Sequence, residues 1–190
     1  MNKNVKKLAL AALMAALCYV GFAFLKIDIP VGADAKTAFH FGNVFCVLAA
    51  LLLGGVWGGL SGAVGMTIGD LLAGYATSAP KTFLLKFCIG LIAGVVASKL
   101  LKLDKETTAK GRLWKSLVAS IAAMAFNVVA DPIVGYFYKT YILGVPQDLA
   151  KALAKIGAVT TLVNAVVAVV AATLLYMALA PILKKLMKSE

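Results

Sequence analysis

Residues 39–76 constrain the fold more than any other stretch, because they are almost wholly apolar and too numerous for one membrane crossing. Asp70 is the only residue among them with a formal charge. As one helix, the 35 residues from 41 to 75 would measure about 52 Å, whereas a hydrocarbon core is about 30 Å thick. The stretch must therefore fold back on itself, and we predict the reversal at Leu53-Gly54-Gly55, where glycine permits a tight turn.

Small residues recur at every fourth position from this turn onward. They form two series, Gly54/Gly58/Gly62 and Ser61/Gly65/Gly69. Residues four apart stack on one face of a helix, and stripes of small residues let neighbouring backbones approach closely. The pattern predicts the tightly packed centre of a helical membrane bundle.

The composition extends this interpretation to the whole chain. Apolar residues make up 62% of the sequence, compared with about 45–50% in soluble domains. A chain of 190 residues has room for about six spans with short loops. We therefore predict an all-α integral membrane protein, a single compact bundle of six transmembrane helices, with spans at about 6–25, 41–54, 56–75, 81–101, 114–139 and 156–186.

The sequence also makes predictions for the first span, the connecting segments and the prolines. An apolar run after three lysines is typical both of a span and of a secretory signal peptide; its length and the membrane-embedded segments that follow favour a span. Residues 26–40 are polar, contain Pro30 and Gly32, and are predicted to form a loop. Pro132 predicts a kink in the fifth helix. Pro181 predicts an end or bend in the sixth, and residues 148–155 a short amphipathic turn before it.

Basic residues are unequally divided between the two sides of this bundle. The N-terminus, the segment 99–115 and the C-terminus carry 12 of them, and the other side, with Lys86, carries 7. The positive-inside rule then puts both termini in the cytoplasm. Because these residues flank apolar spans and form no basic domain face, nucleic acid is not a predicted partner. The three cysteines lie in apolar segments without metal-binding spacing, so neither a metal nor a cofactor is predicted.

Polar side chains within the spans fall in the half of the bundle away from the cytoplasm. Such residues usually mark a water-filled cavity or a ligand site. They could also snorkel to the interface or bond neighbouring helices. Their restriction to one half indicates a pocket open to the outside rather than a path across the bilayer. The predicted pocket residues are Asp70, Lys86, Asn127, Asp131, Thr160 and Asn164.

Charge and aromatic residues suggest what such a pocket would accept. Asp70 and Asp131 against Lys86 leave about one net negative charge, which mildly disfavours anionic ligands. Tyr75, Tyr136 and Tyr138 could stack on a flat heteroaromatic ring or could lie only at the membrane interface.

Several segments together resemble the substrate-binding S components of energy-coupling-factor (ECF) vitamin transporters. They are the alanine-rich first helix, ALAALMAALCYVGF; the signs His40-x-Gly42-Asn43, Gly69-Asp70 and Pro80 to Lys86; and the start of the sixth helix, TTLVNAVVAVVAA. The resemblance covers nearly the whole chain. It implies a vitamin pocket built by helices 4 to 6 and the loops after helices 1 and 3, with His40 and Asn43 added to the site. It also implies an A-x-x-x-A docking motif, which is equally typical of ordinary helix packing, at Ala11, Ala12, Ala15 and Ala16.

The resemblance further implies partners and a substrate class. A transmembrane coupling protein and two cytoplasmic ATPases would energise transport, and the chain itself has no G-x-x-x-x-G-K-[ST] phosphate loop and is not predicted to be an enzyme. The expected ligand is a small heteroaromatic B-vitamin or precursor of the riboflavin, pyridoxine or hydroxymethylpyrimidine type. The expected location is the cell membrane of a Gram-positive-type bacterium.

Two other functions compete with this one. A self-sufficient transporter or channel is expected to have an internal repeat or polar residues along a full path. A membrane enzyme is expected to have paired acids or a His/Cys constellation. Neither pattern is visible in the sequence.

Overall fold

The computed structural model describes residues 3–30 and 36–188. Within them the chain forms six α-helices and one antiparallel hairpin: α1 (Lys3–Ala23), β1 (Lys26–Pro30), β2 (Lys36–His40), α2 (Gly42–Leu53), α3 (Gly55–Leu72), α4 (Ala79–Val95), α5 (Ala109–Phe137) and α6 (Gln147–Lys188). The π-helical segments Val96–Leu100 and Tyr138–Ile142 prolong α4 and α5. A 3₁₀ turn at Leu103–Lys105 lies between these two helices.

Four of these helices are long and apolar enough to cross a membrane. The candidate spans are Asn4–Ala23, Ala79–Leu100, Ala109–Ile142 and Gln147–Ile182. By contrast, α2 has 12 residues and measures only about 18 Å, shorter than a hydrocarbon core. Most residues of α2 are buried, so it serves as a central packing element. The prediction of a helical membrane protein is confirmed.

Helix α3 contacts three other helices through its small residues. A side chain at Gly62 would overlap the Cys46 sulfur of α2, and one at Gly65 would overlap a backbone oxygen of α1. A third face meets α4, where the backbones of Gly55 and Gly94 touch. These approaches are closer than any larger residue allows, so the glycine series holds α3 at the centre of the bundle.

The α2–α3 connection is the tight reversal predicted at Leu53-Gly54-Gly55. Gly54 separates the two helices with φ +89°, a conformation that L-residues rarely adopt. A side chain there would meet no atom within 4 Å, so backbone conformation rather than crowding calls for glycine.

The segment between α1 and α2 contains a hairpin, not the irregular loop predicted from its composition. Strands β1 and β2 pair antiparallel, with Lys26 opposite His40 and Pro30 opposite Lys36. Gly32, which supported the loop prediction, lies outside the described residues. The paired strands satisfy one another's backbone groups, which matters for a segment that covers a buried site.

Several helix boundaries differ from those expected. Helix α5 begins at Ala109 rather than near 114, and α6 begins at Gln147 rather than near 156, so the predicted amphipathic turn is the first part of α6. Neither internal proline ends its helix, because α5 continues past Pro132 and α6 continues past Pro181 to Lys188.

The helices alternate in direction and so divide the loops between two ends of the bundle. A cavity of about 260 Å³ is lined by Lys7, Gly54, Ser98 and Asp104, which brings the start of α1, the α2–α3 turn and the α4–α5 loop to one end. The hairpin, the α3–α4 turn and the α5–α6 connection lie at the opposite end. Tyr138 marks this second end, since its hydroxyl donates a hydrogen bond to the Thr77 carbonyl (2.8 Å).

Candidate functional site

A larger cavity of about 490 Å³ opens at the hairpin end of the bundle. All six helices contribute side chains to it, α1 through Tyr19 and Phe22 near its C-terminal end. Strands β1 and β2 cover one side. Of the ten residues predicted from the sequence, Tyr136 alone does not line this cavity and instead packs against Phe137. The nine that the fold brings together are His40, Asn43, Asp70, Tyr75, Lys86, Asn127, Asp131, Thr160 and Asn164.

Four buried polar residues of this cavity form a group that we call the polar floor: Asn43, Asp70, Lys86 and Asn127. Their residues are between 1% and 8% exposed. The Oδ1 atoms of Asn43 and Asn127 and the Oδ2 atom of Asp70 are buried without a hydrogen-bond partner. An unpaired buried acceptor is costly, and most buried polar atoms in proteins have a partner. The polar floor is therefore suited to a ligand that supplies N–H or O–H donors.

Lys86 completes the polar floor with a positive charge. It lies on α4, is 8% exposed, and its ammonium group makes no hydrogen bond or ion pair with any residue in the described ranges. Ammonium groups buried without a counter-ion are unfavourable. A ligand acceptor directed at Lys86 would remove that penalty.

Asp131 has a different role, because both of its carboxylate oxygens are occupied within the protein. Oδ1 forms an ion pair with the Lys81 ammonium of α4 (3.0 Å), and Oδ2 accepts a hydrogen bond from the Thr161 hydroxyl of α6 (3.0 Å). One side chain of α5 thus joins α4 and α6. The fold places Asp131 in the cavity wall chiefly as a link between helices.

Asn164 is also fully engaged, in this case with the hairpin. Its Oδ1 accepts a hydrogen bond from the backbone N–H of His40 (3.0 Å), and its Nδ2 donates one to the carbonyl of Ala38 (3.0 Å). These two backbone groups lie on the free edge of β2, where a third strand would pair. The Asn164 amide takes the place of that strand and fastens the hairpin to α6.

His40, the last residue of β2, lines the same cavity as the polar floor. Its ring packs edge-on against Phe22 of α1, with ring centroids 4.9 Å apart. Burial, with a smaller contribution from the nearby Lys86 ammonium, lowers the pKa of His40 to about 3. The imidazole is therefore neutral at physiological pH, and its Nδ1 is buried without a partner.

Several cavity residues escaped the sequence prediction, and they change the charge of the site. Lys26, Lys81 and Lys139 line the cavity together with Lys86, against Asp28, Asp70 and Asp131. Four lysines and three aspartates give one net positive charge when all are ionised. The expectation of one net negative charge was wrong, because it counted only residues deep within predicted spans. Lys26, Lys81 and Lys139 lie at the cavity because of how the helices and the hairpin pack, and this packing cannot be read from the sequence.

The alanines of α1 divide between an inner and an outer face. Ala11 is 7% exposed, and its carbonyl accepts a hydrogen bond from the Ser61 hydroxyl of α3 (2.9 Å). Ala15 is half-buried against Gly65. Ala12 and Ala16 are exposed on a neighbouring face of the helix, about 100° away. The second pair is therefore more accessible to another chain than the first.

The half of the bundle away from the cavity contains polar side chains of a different kind. Ser116 and Ser120 are fully buried, and each hydroxyl donates to a backbone carbonyl one turn earlier in α5 (2.7 and 2.8 Å). Thr173 of α6 approaches Ser120. These hydroxyls are satisfied by protein groups, in contrast to the unpaired atoms of the polar floor.

Comparison with known proteins identifies the kind of protein this site belongs to. A solved structure described as the S component of a bacterial ECF transporter superposes with a TM-score of 0.62 at 21% identity, covering 95% of this chain and 99% of that one, and so shares its fold. No curated protein matches the chain. The family model for the S component of ECF-type riboflavin transporters matches residues 2–181. The chain therefore belongs to the ECF-type riboflavin transporter S component family, as its sequence motifs predicted.

Proposed function

We propose that this protein binds a small heteroaromatic B-vitamin or vitamin precursor from outside the cell and delivers it to an energising module. The main observation in support of this proposal is the set of unpaired polar atoms at the polar floor and His40. Three buried oxygens and a buried ring nitrogen without protein partners converge on one cavity of about 490 Å³. That volume lies within the range of about 300–1,000 Å³ typical of ligand sites.

The lining also favours a flat, donor-rich ligand. Tyr19, Phe22 and Tyr75 supply aromatic rings around the cavity, against which a heterocycle can pack. The polar floor requires N–H or O–H groups on the same ligand. Riboflavin, pyridoxine and hydroxymethylpyrimidine each combine a flat ring with such donors, so all three belong to the proposed class.

The cavity end faces outward in this proposal, and all six helices form one membrane domain with both termini in the cytoplasm. The excess of basic residues at the opposite end supports this orientation. It is tested by labelling single cysteines from outside intact cells, in a background lacking the native cysteines. A probe at Thr77 should react and a probe at Thr108 should not; the reverse result would invert the orientation.

Docking to a membrane coupling protein, driven by two ATPases, is assigned in this proposal to the outer face of α1. Ala12 and Ala16 are exposed and four residues apart, so they leave a shallow stripe into which another helix can pack. Ala11 is buried against α3 and Ala15 is half-buried there, so this pair is less accessible for the same contact.

Two experiments test the proposed function together. The chain, purified alone from cells grown in rich medium, should release about one heteroaromatic molecule per protein on denaturation, identified by mass spectrometry. Cells that express it should accumulate the same compound only when a coupling protein and its ATPases are also present. Uptake by the chain alone would instead support a self-sufficient transporter, and the absence of any bound compound would contradict the proposal.

A further inference from the structure

Two ammonium groups flank a small depression at the mouth of the cavity. A Cβ atom built on Gly135, which is buried in α5, would lie 3.7 Å from the Nζ of Lys139 and 3.8 Å from the Nζ of Lys81. No other contact within 4 Å is found there outside the local backbone of α5. The missing side chain therefore leaves a small depression in α5 within reach of both ammonium groups, and both lysines also line the cavity.

The charges around this space are not balanced. The Lys81 ammonium pairs with Asp131, whose second oxygen is taken by Thr161. Lys139, in the π-helical segment after α5, makes no ion pair or side-chain hydrogen bond within the described part of the chain. Two positive charges thus lie near one carboxylate, and only the Lys81 ammonium forms an ion pair with it. The group missing from this arrangement is an anionic acceptor.

The rest of the cavity restricts where such an acceptor can bind. Within the polar floor, the unpaired oxygens of Asn43, Asp70 and Asn127 attract donors and repel an anion, and Lys86 offers one ammonium group to a single ligand acceptor. Lys81 and Lys139 line the same cavity. A ligand that satisfies both regions has hydrogen-bond donors at one end and a negative charge at the other.

We propose that the substrate carries an anionic substituent, a phosphate or a carboxylate, which binds between Lys81 and Lys139 beside Gly135. This inference rests on the proposed function, because it specifies the substrate class of the same cavity. It goes beyond a neutral vitamin, since it predicts that a negative charge strengthens binding.

Matched pairs of compounds test the substituent directly. Riboflavin and flavin mononucleotide, pyridoxine and pyridoxine 5′-phosphate, and hydroxymethylpyrimidine and its phosphate each differ by one phosphate. In calorimetric titrations of the purified full-length protein, the phosphorylated member of the pair that binds should have about 10- to 150-fold higher affinity, as expected for a bond between charged groups. Equal affinity, or preference for the neutral member, would overturn the inference while leaving the proposed function intact.

Two variants test whether the preference for the phosphorylated compound arises at this site. Gly135→Ala fills the depression at ordinary contact distances and keeps both lysines, so the protein should fold normally and lose most of the preference for phosphate. Lys139→Gln should lose the preference and retain the affinity for the neutral member. Lys151→Gln is the matched control, because it removes an exposed charge of α6 on the same side of the bundle, outside the cavity lining. A preference that persists in both test variants would exclude this site.

Inorganic phosphate gives a test that does not depend on the vitamin. Millimolar phosphate should raise the thermal midpoint of the wild type above that in chloride at equal ionic strength, and should not raise that of Gly135→Ala. If no compound pair binds but phosphate does, the anion site stands and the proposed function fails; if phosphate has no effect either, both fail. Repeating the titrations in phosphatidylglycerol nanodiscs separates a lipid headgroup from a substrate, because loss of the preference there would assign the site to lipid and overturn the inference.

Discussion

The link between Asn164 and the hairpin makes a prediction whose size follows from the structure. Asn164→Ala removes two hydrogen bonds of 3.0 Å, one to the His40 N–H and one to the Ala38 carbonyl. Each bond is worth about 1 kcal/mol, so the closed hairpin should lose about 2 kcal/mol. That change raises the population of the open hairpin about 30-fold. A ligand beneath the hairpin should therefore dissociate faster by a similar factor.

Hydrogen–deuterium exchange measures this opening directly. In the wild type, the backbone amide of His40 is held by Asn164 and should exchange slowly; in Asn164→Ala, it should exchange about 30-fold faster. Asn127→Ala is the matched control, because it removes an amide from the same cavity that makes no hydrogen bond to the hairpin. If exchange in residues 36–40 were the same in Asn164→Ala as in the wild type, the amide would not fasten the hairpin.

Three further predictions concern other parts of the molecule. Ala12→Trp should abolish uptake while leaving vitamin affinity nearly unchanged, because Ala12 is exposed on the proposed docking face; wild-type uptake would exclude that face. Asp131→Asn should lower the stability by about 1.5–3 kcal/mol, seen as a lower thermal midpoint, because Lys81 loses its charged partner; an unchanged midpoint would mean that the pair contributes nothing. The third prediction follows from the pKa of His40, which burial holds at about 3, below its ordinary value of 6.5. Between these values the unfolded chain takes up a proton that the folded chain does not, so this contribution to stability is complete above pH 6.5 and decreases as the pH falls toward 3. The thermal midpoint should drop between pH 7.5 and pH 5 in the wild type and drop less in His40→Gln, and equal drops in both would refute the assignment.

The helical part of the fold could be predicted from the sequence because its signals are local. A run of apolar residues longer than a bilayer must reverse, and Gly54 marks where it does. The glycine series likewise indicates close packing without indicating the partners. The structure adds that successive faces of α3 meet α1, α2 and α4, which depends on how the helices assemble.

The hairpin was not predicted, because its strands have only five residues each: β1 alternates polar and apolar residues but ends at Pro30, and β2 does not alternate. Its pairing is made by backbone groups, and its position is set by Asn164, more than 120 residues away in the chain. The sequence identified Asn164 as polar and deep, and assigned it to ligand binding. Its contacts with β2 show that both ends of the amide are already used.

The two lysines near Gly135 were not predicted as site residues, for a related reason. Lys81 and Lys139 lie near helix ends, where lysines are common and usually solvated, so neither is distinctive in the sequence. They become significant only because both ammonium groups approach Gly135. The charge of the site is therefore a property of the assembled helices.

Titration of the purified wild type and of Asn127→Ala with riboflavin, pyridoxine, hydroxymethylpyrimidine and their phosphates tests the central claim most directly. One compound should bind the wild type at one site per chain. Asn127→Ala should weaken it about 5- to 150-fold, because a ligand donor then faces a buried site without its acceptor. Equal binding to both proteins, or no binding of any compound to the wild type, would contradict the claim that the polar floor recognises a heteroaromatic vitamin.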